Sequence, residues 1–524
     1  YFNHKIERNL FSSYHRGDVF LFLEDGFVEN HASPNVECPV GMATAAALFK
    51  LEPHRQREIE VNVPLIPIKK KQFSPLSFER SSTSGQDWSV ALNEYSSLKV
   101  PDERYQFLYE SAIRTMVLHS AEEVVAGPYT YKRFWFRDAV LILHAMLCIG
   151  LKKRVFETIK TFPSRQTAAG FFHSQKGEWD SNGQVLWLLK KFFEMTGDVP
   201  DQKWFPVVRK GARWLMKKRV VSGAESAHEG LLAAGFSAEH LGPNDYYYWD
   251  DFWGIAGLQA ASWLMTQWGR PRLAEEFAKA AKDLEECVEK SLRKVAQRIG
   301  KNVLPASPYR RMDSGAIGSI VVGYPLQLWP ADDERLVQTA EYLLKNCLVK
   351  GGFFHDMSHS GINPYLTLHL AQVLLRRGDL RFFDLMKNLA NFASPTGQWP
   401  EAIHPATLGG CMGDGQHVWA AAEWVMMIRN CFVQEEQSSS RLILCAGIPP
   451  EWSSREGEMF FGPTLTCWGA IAVKIKVSLK KIQVSWDLVQ SANANPPQIE
   501  VRLPGYDGVV APAGEHCVEL FSQI

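Results

Sequence analysis

None of the nine cysteines sits in a C-x-x-C pair; they stand singly along the chain. That excludes the ligand spacing of a structural zinc module and of a thioredoxin-like redox pair. An odd number of scattered thiols reads as reduced, buried cysteine and favours a cytoplasmic protein. Charge of one sign is not in excess either, because Lys plus Arg and Asp plus Glu each total 57. A nucleic-acid or anionic-membrane partner needs a basic face, so neither is expected. Long hydrophobic runs are also lacking: the longest, from Ala139 to Leu151, is interrupted by His144 and Gly150 and is too short for a bilayer. Tyr1 is not an initiator methionine, which leaves a lost signal peptide open.

What the chain does have is apolar and aromatic mass. Of its 524 residues 46% are hydrophobic, with 17 Trp, 15 Tyr and 30 Phe, enough for a large core. Most of those rings are expected to pack that core. Rings beside carboxylates are also what a carbohydrate site uses, since they stack on sugar faces.

The pattern changes twice along the chain. Residues 1–67 lack helical periodicity, and short strands are expected at Val19–Leu23, Phe27–Val28 and Glu58–Val63, as parts of a small N-terminal β-domain. Residues 68–104, with Lys69-Lys70-Lys71 and Ser81-Ser82-Thr83-Ser84-Gly85, have linker composition. From 105 to 434 the period is helical, with stripes such as Val185, Leu188, Leu189, Phe192 and Phe193. Gly150, Gly197, Gly269 and Gly378 each end an apolar helix shortly before another begins, which describes a series of αα-hairpins. The helices suffice for six hairpins closed into a ring, or for an open solenoid. Over 440–524 the period returns to two, as in Ile471–Leu479 and Lys481–Trp486, and a C-terminal β-domain is expected.

Polar clusters interrupt the helical region at helix starts. Arg133-Phe134-Trp135-Phe136-Arg137-Asp138 opens one helix; Asp138 is there as an N-cap or as a site carboxylate beside Arg137. Gly177-Glu178-Trp179-Asp180-Ser181-Asn182 opens another, and Trp179, Asp180 and Asn182 fit a sugar subsite as well as a cap. Asn244–Gly254 embeds Asp250 and Asp251 among six aromatic residues, Trp249 included. A carboxyl desolvated in that way holds a proton near neutrality, as a general acid must. Last comes a loop too rich in Gly and Pro to be an element interior, Gly397–Pro405 continued by Gly409–His417, which carries Trp399, Glu401, His404, Asp414 and His417. Glu401 is the natural partner for Asp250, because glycoside cleavage needs one protonated and one ionised carboxyl on opposite sides of the bond. His355 and His359 have i, i+4 spacing, but flanking glycines make a loop and no third ligand is evident, so neither metal nor cofactor is expected. The polar loop Pro305–Gly315, with Arg310 and Arg311, could line the same face.

Trp135-Phe136-Arg137-Asp138, Trp249-Asp250-Asp251 and the Glu401 loop running into Trp419–Trp424 follow one another as in the glucoamylases. Over about 105–434 the chain resembles these (α/α)6-barrel glycosidases, with trehalases and amylo-1,6-glucosidases as looser relatives. The resemblance implies a mainly α fold: a six-hairpin toroid flanked by accessory β-domains. It further implies that Arg137 and Asp138 hold the terminal sugar, that Asp250 protonates the leaving oxygen, and that Glu401 activates the attacking water. An inverting hydrolase of a terminal sugar, an α-glucoside, is the expectation, with an oligosaccharide or glycoside as its partner. Trp135, Trp179, Asp180, Asn182, Trp249, Asp251, Trp399, His404, Asp414 and His417 would line the substrate site. Two departures stand out. Glucoamylases carry Glu at the acid position, where this chain has Asp, as trehalases do. The Gly409–Gly415 loop has no counterpart in the pattern, and its backbone N–H groups could instead bind phosphate for a phosphorylase on the same fold. A polysaccharide lyase fits less well, for want of a basic groove, and a non-catalytic glycan-binding protein is the remaining alternative.

Overall fold

A computed structural model describes residues 8–12, 44–59, 92, 94–121, 123–221, 225–237, 243–357, 360–479, 481–491 and 495–521. The chain divides into two compact units, 1–91 and 92–524. In the first, β1 (Arg8–Ser12) pairs antiparallel with β2 (Thr44–Leu48), Arg8 opposite Leu48. The strands expected at 19–23 and 27–28 lie outside the described residues, as do residues 60–63; Glu58 and Ile59 are described and belong to no strand.

The second unit begins inside the stretch with linker composition. Ser97–Lys99 forms β3, which pairs with a C-terminal strand, and the first long helix starts at Glu103, capped by Asp102. Linker composition therefore does not extend to 104, because alternation in Ser97-Leu98-Lys99 is enough to add an edge strand.

Among the described residues, twelve helices follow one another between Glu103 and Phe432. They are α1 (Glu103–Leu118), α2 (Phe136–Cys148), α3 (Lys152–Ile159), α4 (Ser181–Thr196), α5 (Phe205–Lys218), α6 (Tyr248–Gln267), α7 (Pro271–Ile299), α8 (Ala316–Ser319, continued by a tighter turn at Ile320–Val322), α9 (Glu334–Asn346), α10 (Pro364–Arg377), α11 (Phe382–Phe392) and α12 (Val418–Phe432). Their burial alternates. Every residue of α2, α8 and α12 is buried, and α4, α6 and α10 are nearly so. The odd-numbered helices bury one face only. The sequences dictate this: α2 reads Ala139-Val140-Leu141-Ile142-Leu143 with no polar stripe, whereas α7 sets Glu275, Lys279 and Lys282 opposite Phe277, Ala281 and Leu284. The buried helices also pack in cyclic order, α2 on α4, α4 on α6, α6 on α8, the turn that continues α8 on α10, α10 on α12, and α12 back on α2.

Between α4 and α6 the approach is backbone to backbone. A Cβ on Gly183 would meet the Trp253 carbonyl oxygen at 2.1 Å, and one on Gly257 would meet the Gly183 Cα at 2.5 Å. Only glycine at both places lets the start of α4 approach the middle of α6 so closely.

Two sheets complete the unit. β11 (Gly457–Thr466), β12 (Gly469–Val477), β13 (Lys481–Gln490) and β16 (Cys517–Phe521) are antiparallel and extended by β3, in the order β16-β13-β12-β11-β3. β9 (Val433–Glu436), β10 (Arg441–Leu444), β14 (Gln498–Val501) and β15 (Val509–Val510) form the other, with β10 and β14 parallel. Inward residues of β12 such as Ile471, Val473 and Ile475 are buried, while Lys474 and Lys476 are exposed, the single wet face that the alternation predicts. A third, small sheet interrupts the helices, in the order β4 (Leu348–Val349), β5 (Gly352–His355), β6 (Gly361–Ile362), β7 (Ala402–Ile403), β8 (Gly410–Met412). Among the described residues, no helix is long and apolar enough to cross a membrane.

Candidate active site

The N-terminal ends of α2, α4, α6 and α12 bring the polar clusters together. Arg137, in the first turn of α2, is 7% exposed and sits among carboxylates: Glu178 at 3.2 Å, Asp138 at 3.6 Å and Asp180 at 4.0 Å. Asp180 precedes α4, and its Oδ2 accepts hydrogen bonds from Trp249 Nε1 (2.9 Å), at the start of α6, and from Gln184 Nε2 (3.0 Å). The close packing at Gly183 and Gly257 makes the first of these possible. Asp250 follows Trp249 and is 2% exposed.

The carboxylate ahead of α12 is near enough for its charge to act on Asp138. Glu401 is 8% exposed and accepts a hydrogen bond of 2.5 Å from the Tyr131 hydroxyl. Burial pushes the Asp138 carboxyl up to about 6, against the pull of Arg137 and with Glu178 and Glu401 adding to the rise. Asp180 is likewise pushed by burial to about 6 despite Arg137, with Glu178 again raising it. One guanidinium thus faces more negative charge than it neutralises, an arrangement that holds protons near neutrality.

The Gly409–His417 segment has a definite role. Residues 410–412 form β8, which pairs with β7, so the glycines build a hairpin. Gly413, at φ +66°, leaves room for Glu401: a Cβ there would meet Glu401 Oε2 at 2.6 Å. Asp414 accepts the backbone N–H groups of Tyr129 (2.9 Å), Thr130 (2.9 Å) and Tyr131 (3.0 Å). Burial pushes the Asp414 carboxyl up, but those three donors outweigh it and hold it below the usual range. The loop therefore carries a carboxylate beside Glu401, and negative charge there disfavours phosphate. His417, the residue before α12, is 3% exposed, and burial lowers its imidazole to about 4, so it is neutral. Its ring packs against Tyr365 and Tyr131.

Several residues expected to line the substrate have their side chains engaged in other contacts. Trp399 is 2% exposed, donates to the Leu389 carbonyl at 2.8 Å and packs on Trp424, so its ring belongs to the core. Asn182 is wholly buried and its amide is committed to backbone: it accepts from Phe172 N–H and donates to the Gly170 and Gly211 carbonyls. Trp249 is buried and holds Asp180 in place. His404 is exposed, its Nδ1 accepting from the N–H groups of Ala406 and Thr407 in a turn. Asp251 is also wholly buried, with Oδ1 accepting from Leu232 N–H at 2.8 Å. Trp135 and Trp179 are half-buried, with Arg133 and Lys218 respectively over their rings at 4.1 and 3.5 Å. Arg310 is bound by Asp313 at 2.9 Å and Arg311 is exposed. His359 lies outside the described residues, and among those described no group of three metal-ligating side chains occurs.

Three residues enter that sequence reasoning did not single out. Glu178 was in view, but adjacency to Trp179 and Asp180 does not tell which side chain turns inward. Tyr131 holds Glu401 from 270 residues away in sequence. Lys218, at the end of α5, lies near enough to Asp250 for its charge to be felt.

Asp251 provides a test of this geometry. Burial pushes its carboxyl from the ordinary 3.8 up to about 8, only partly offset by Leu232 N–H and Arg219. A raised carboxyl binds its proton more tightly folded than unfolded, so the stability it contributes is complete below about 4 and is lost as pH rises towards 8. Replacing it with Asn, which keeps the acceptor for Leu232, is expected to remove part of the fall in melting temperature between pH 5 and 8. Parallel pH–stability curves for Asp251→Asn and the parent would contradict this.

With that geometry in hand, likeness to known proteins can be weighed. No family model matches the chain. A protein of Methanocaldococcus jannaschii described as an uncharacterized glycosyl hydrolase is 21% identical over 451 residues, which span 75% of this chain and 68% of that one. Among solved structures, a GH78 family rhamnosidase of a Bacillus species superposes with a TM-score of 0.53 at 16% identity, over 78% of this chain and 43% of that one. A bacterial glucoamylase in complex with acarbose aligns at a TM-score of 0.47 and 12% identity, over 66% and 57% of the two chains. The chain is thus similar in sequence to a glycosyl hydrolase, and it shares a fold with a glycosidase of the rhamnosidase type.

Proposed function

We propose that this chain is an inverting glycoside hydrolase that releases a terminal sugar from an α-glucoside. The observation that carries the reading is the gathering of buried carboxylates at the helix starts: Asp138, Glu178 and Asp180 around Arg137, Glu401 near enough for its charge to act on Asp138, and Asp250 next in sequence to the Trp249 that holds Asp180. Cyclic packing of the buried helices supports an (α/α)6 barrel, whose N-terminal rim would be the site. Asp250 would donate its proton to the glycosidic oxygen as the bond to the anomeric carbon breaks. Glu401 would take the proton of a water attacking that carbon from the opposite face. The Tyr131 hydroxyl, donating to Glu401 Oε2, would hold the carboxylate in place. Arg137, Asp138 and Glu178 present donors and acceptors suited to sugar hydroxyls, and Trp135 and Trp179 supply half-buried rings for its apolar face.

The deciding experiment is hydrolysis of α-linked disaccharides followed by NMR of the fresh product. Release of β-glucose is expected. Retained α-configuration would overturn inversion, because a retaining enzyme uses its second carboxylate as nucleophile. Product that forms only with phosphate, as a sugar 1-phosphate, would overturn hydrolysis.

A further inference from the structure

We infer that the end of the helical body opposite the carboxylate site binds a small inorganic anion, in a cavity lined by Lys191 of α4, Arg376 of α10 and Gln434 of β9. From Asp180 to Lys191 along α4, and from His417 to Arg429 along α12, the chain climbs about 16–18 Å at 1.5 Å per residue, so this cavity is a separate place.

Three cations line it, Lys191, Arg376 and Arg429, against one carboxylate, Glu435. Arg429 is neutralised by Glu435 at 2.6 Å, and Glu435 also accepts from Cys467 N–H. Arg376 is in a different position. It makes no ion pair within 4.0 Å among the described residues and donates to the Gly323 carbonyl. The acid whose charge reaches it, Glu436, is held by Arg441. Lys191 has Glu194 at 3.9 Å, a carboxylate shared with Lys190, and also feels the charge of Glu435. A half-buried cation whose acid partner is shared with another cation is incompletely compensated, and a bound anion makes up the difference.

The second observation is independent of charge. Gln434 is 6% exposed, and its Nε2 amide, a donor, has no hydrogen-bond partner. Buried donors are nearly always satisfied, so an unmet N–H beside two cations asks for an acceptor. Nearby, His144 is kept neutral, its imidazole lowered to about 3 by burial and by Lys191 and Arg429, and it does not compete with the cations. The cavity holds about 50 Å³. That is room for roughly three or four waters, so a halide or a tetrahedral oxyanion fits and a sugar ring does not.

The test titrates the whole protein with sodium chloride, sodium sulfate and sodium phosphate, with ionic strength held constant by sodium HEPES, whose anion is too bulky for the cavity. A saturable rise in melting temperature is expected from at least one salt. Response to chloride alone identifies a halide site, and response to sulfate or phosphate identifies an oxyanion site. The rise is expected to vanish in Arg376→Gln and to weaken in Gln434→Leu. Should Arg376→Gln fail to fold, Lys191→Gln serves in its place, and bromide-soaked crystals of the parent should show anomalous density between Lys191, Arg376 and Gln434. No saturable response in the parent, an undiminished response in the variants, or, where chloride gives the response, no bromide peak would overturn the proposal.

Discussion

Asp250→Asn is expected to lower hydrolysis of a disaccharide by about 10²–10⁴-fold, the usual contribution of a positioned general acid. Asn has the same shape and sits in the same first turn of α6, so the fold is kept and only the proton is lost. The loss should depend on the leaving group. A sugar alkoxide needs that proton, whereas fluoride departs without it, so the variant should retain most of its activity on the glycosyl fluoride. Glu401→Gln should lose activity on both, because water must be activated whatever leaves. Steady-state rates of both variants on both substrates give the comparison. An Asp250→Asn defect of equal size on disaccharide and fluoride would remove Asp250 from the acid's role.

The second large effect concerns Arg137. Replacing it with Met keeps the bulk of the side chain but leaves Asp138, Glu178 and Asp180 buried together without their cation. Removing one partner of a buried ion cluster costs about 3–5 kcal/mol. The cost should depend on pH in a definite sense. Asp138 and Asp180 already stand near 6 with Arg137 present, and without it they hold protons more tightly still. The variant is therefore expected to approach the parent in stability near pH 4–5, where these carboxyls are neutral, and to fall away as pH rises through 6. Urea unfolding at pH 5 and pH 7.5 measures it. An equal deficit at both would mean that packing, rather than charge, is what Arg137 supplies.

How far the chain could be read in advance depended on the kind of feature. The clusters at 133–138, 177–182 and 244–254 broke the helical period, and each lies at a helix start where main-chain N–H groups and chain reversal put polar side chains on one rim. That much is local. Direction within a cluster is not local. Trp399 and Asn182 look like sugar contacts from composition, yet each is bound to a main-chain carbonyl or N–H of a neighbouring segment, and no pattern in the sequence announces which carbonyl is near. The Gly409–His417 loop was ambiguous for a related reason. Glycines permit an anion nest and a tight hairpin equally, and the choice is made by Asp414, whose three partners lie 283–285 residues away. The meeting of α12 with α2 is the same kind of fact, a contact between distant ends of the helical region.

The Asp414 bond to Tyr129–Tyr131 has a consequence for biosynthesis. Its ends are separated by most of the helical region, so a nascent chain carries a complete Asp250 segment well before anything can hold Tyr131 or supply Glu401. Loop-closure entropy must be met late, by contacts of long sequence separation, which slows the final step relative to pairing of neighbouring helices. Any product that ends or is clipped ahead of residue 401 keeps the proposed proton donor and lacks the proposed base. With those roles, the topology itself imposes quality control: the proposed chemistry requires that the two ends of the helical region have found each other.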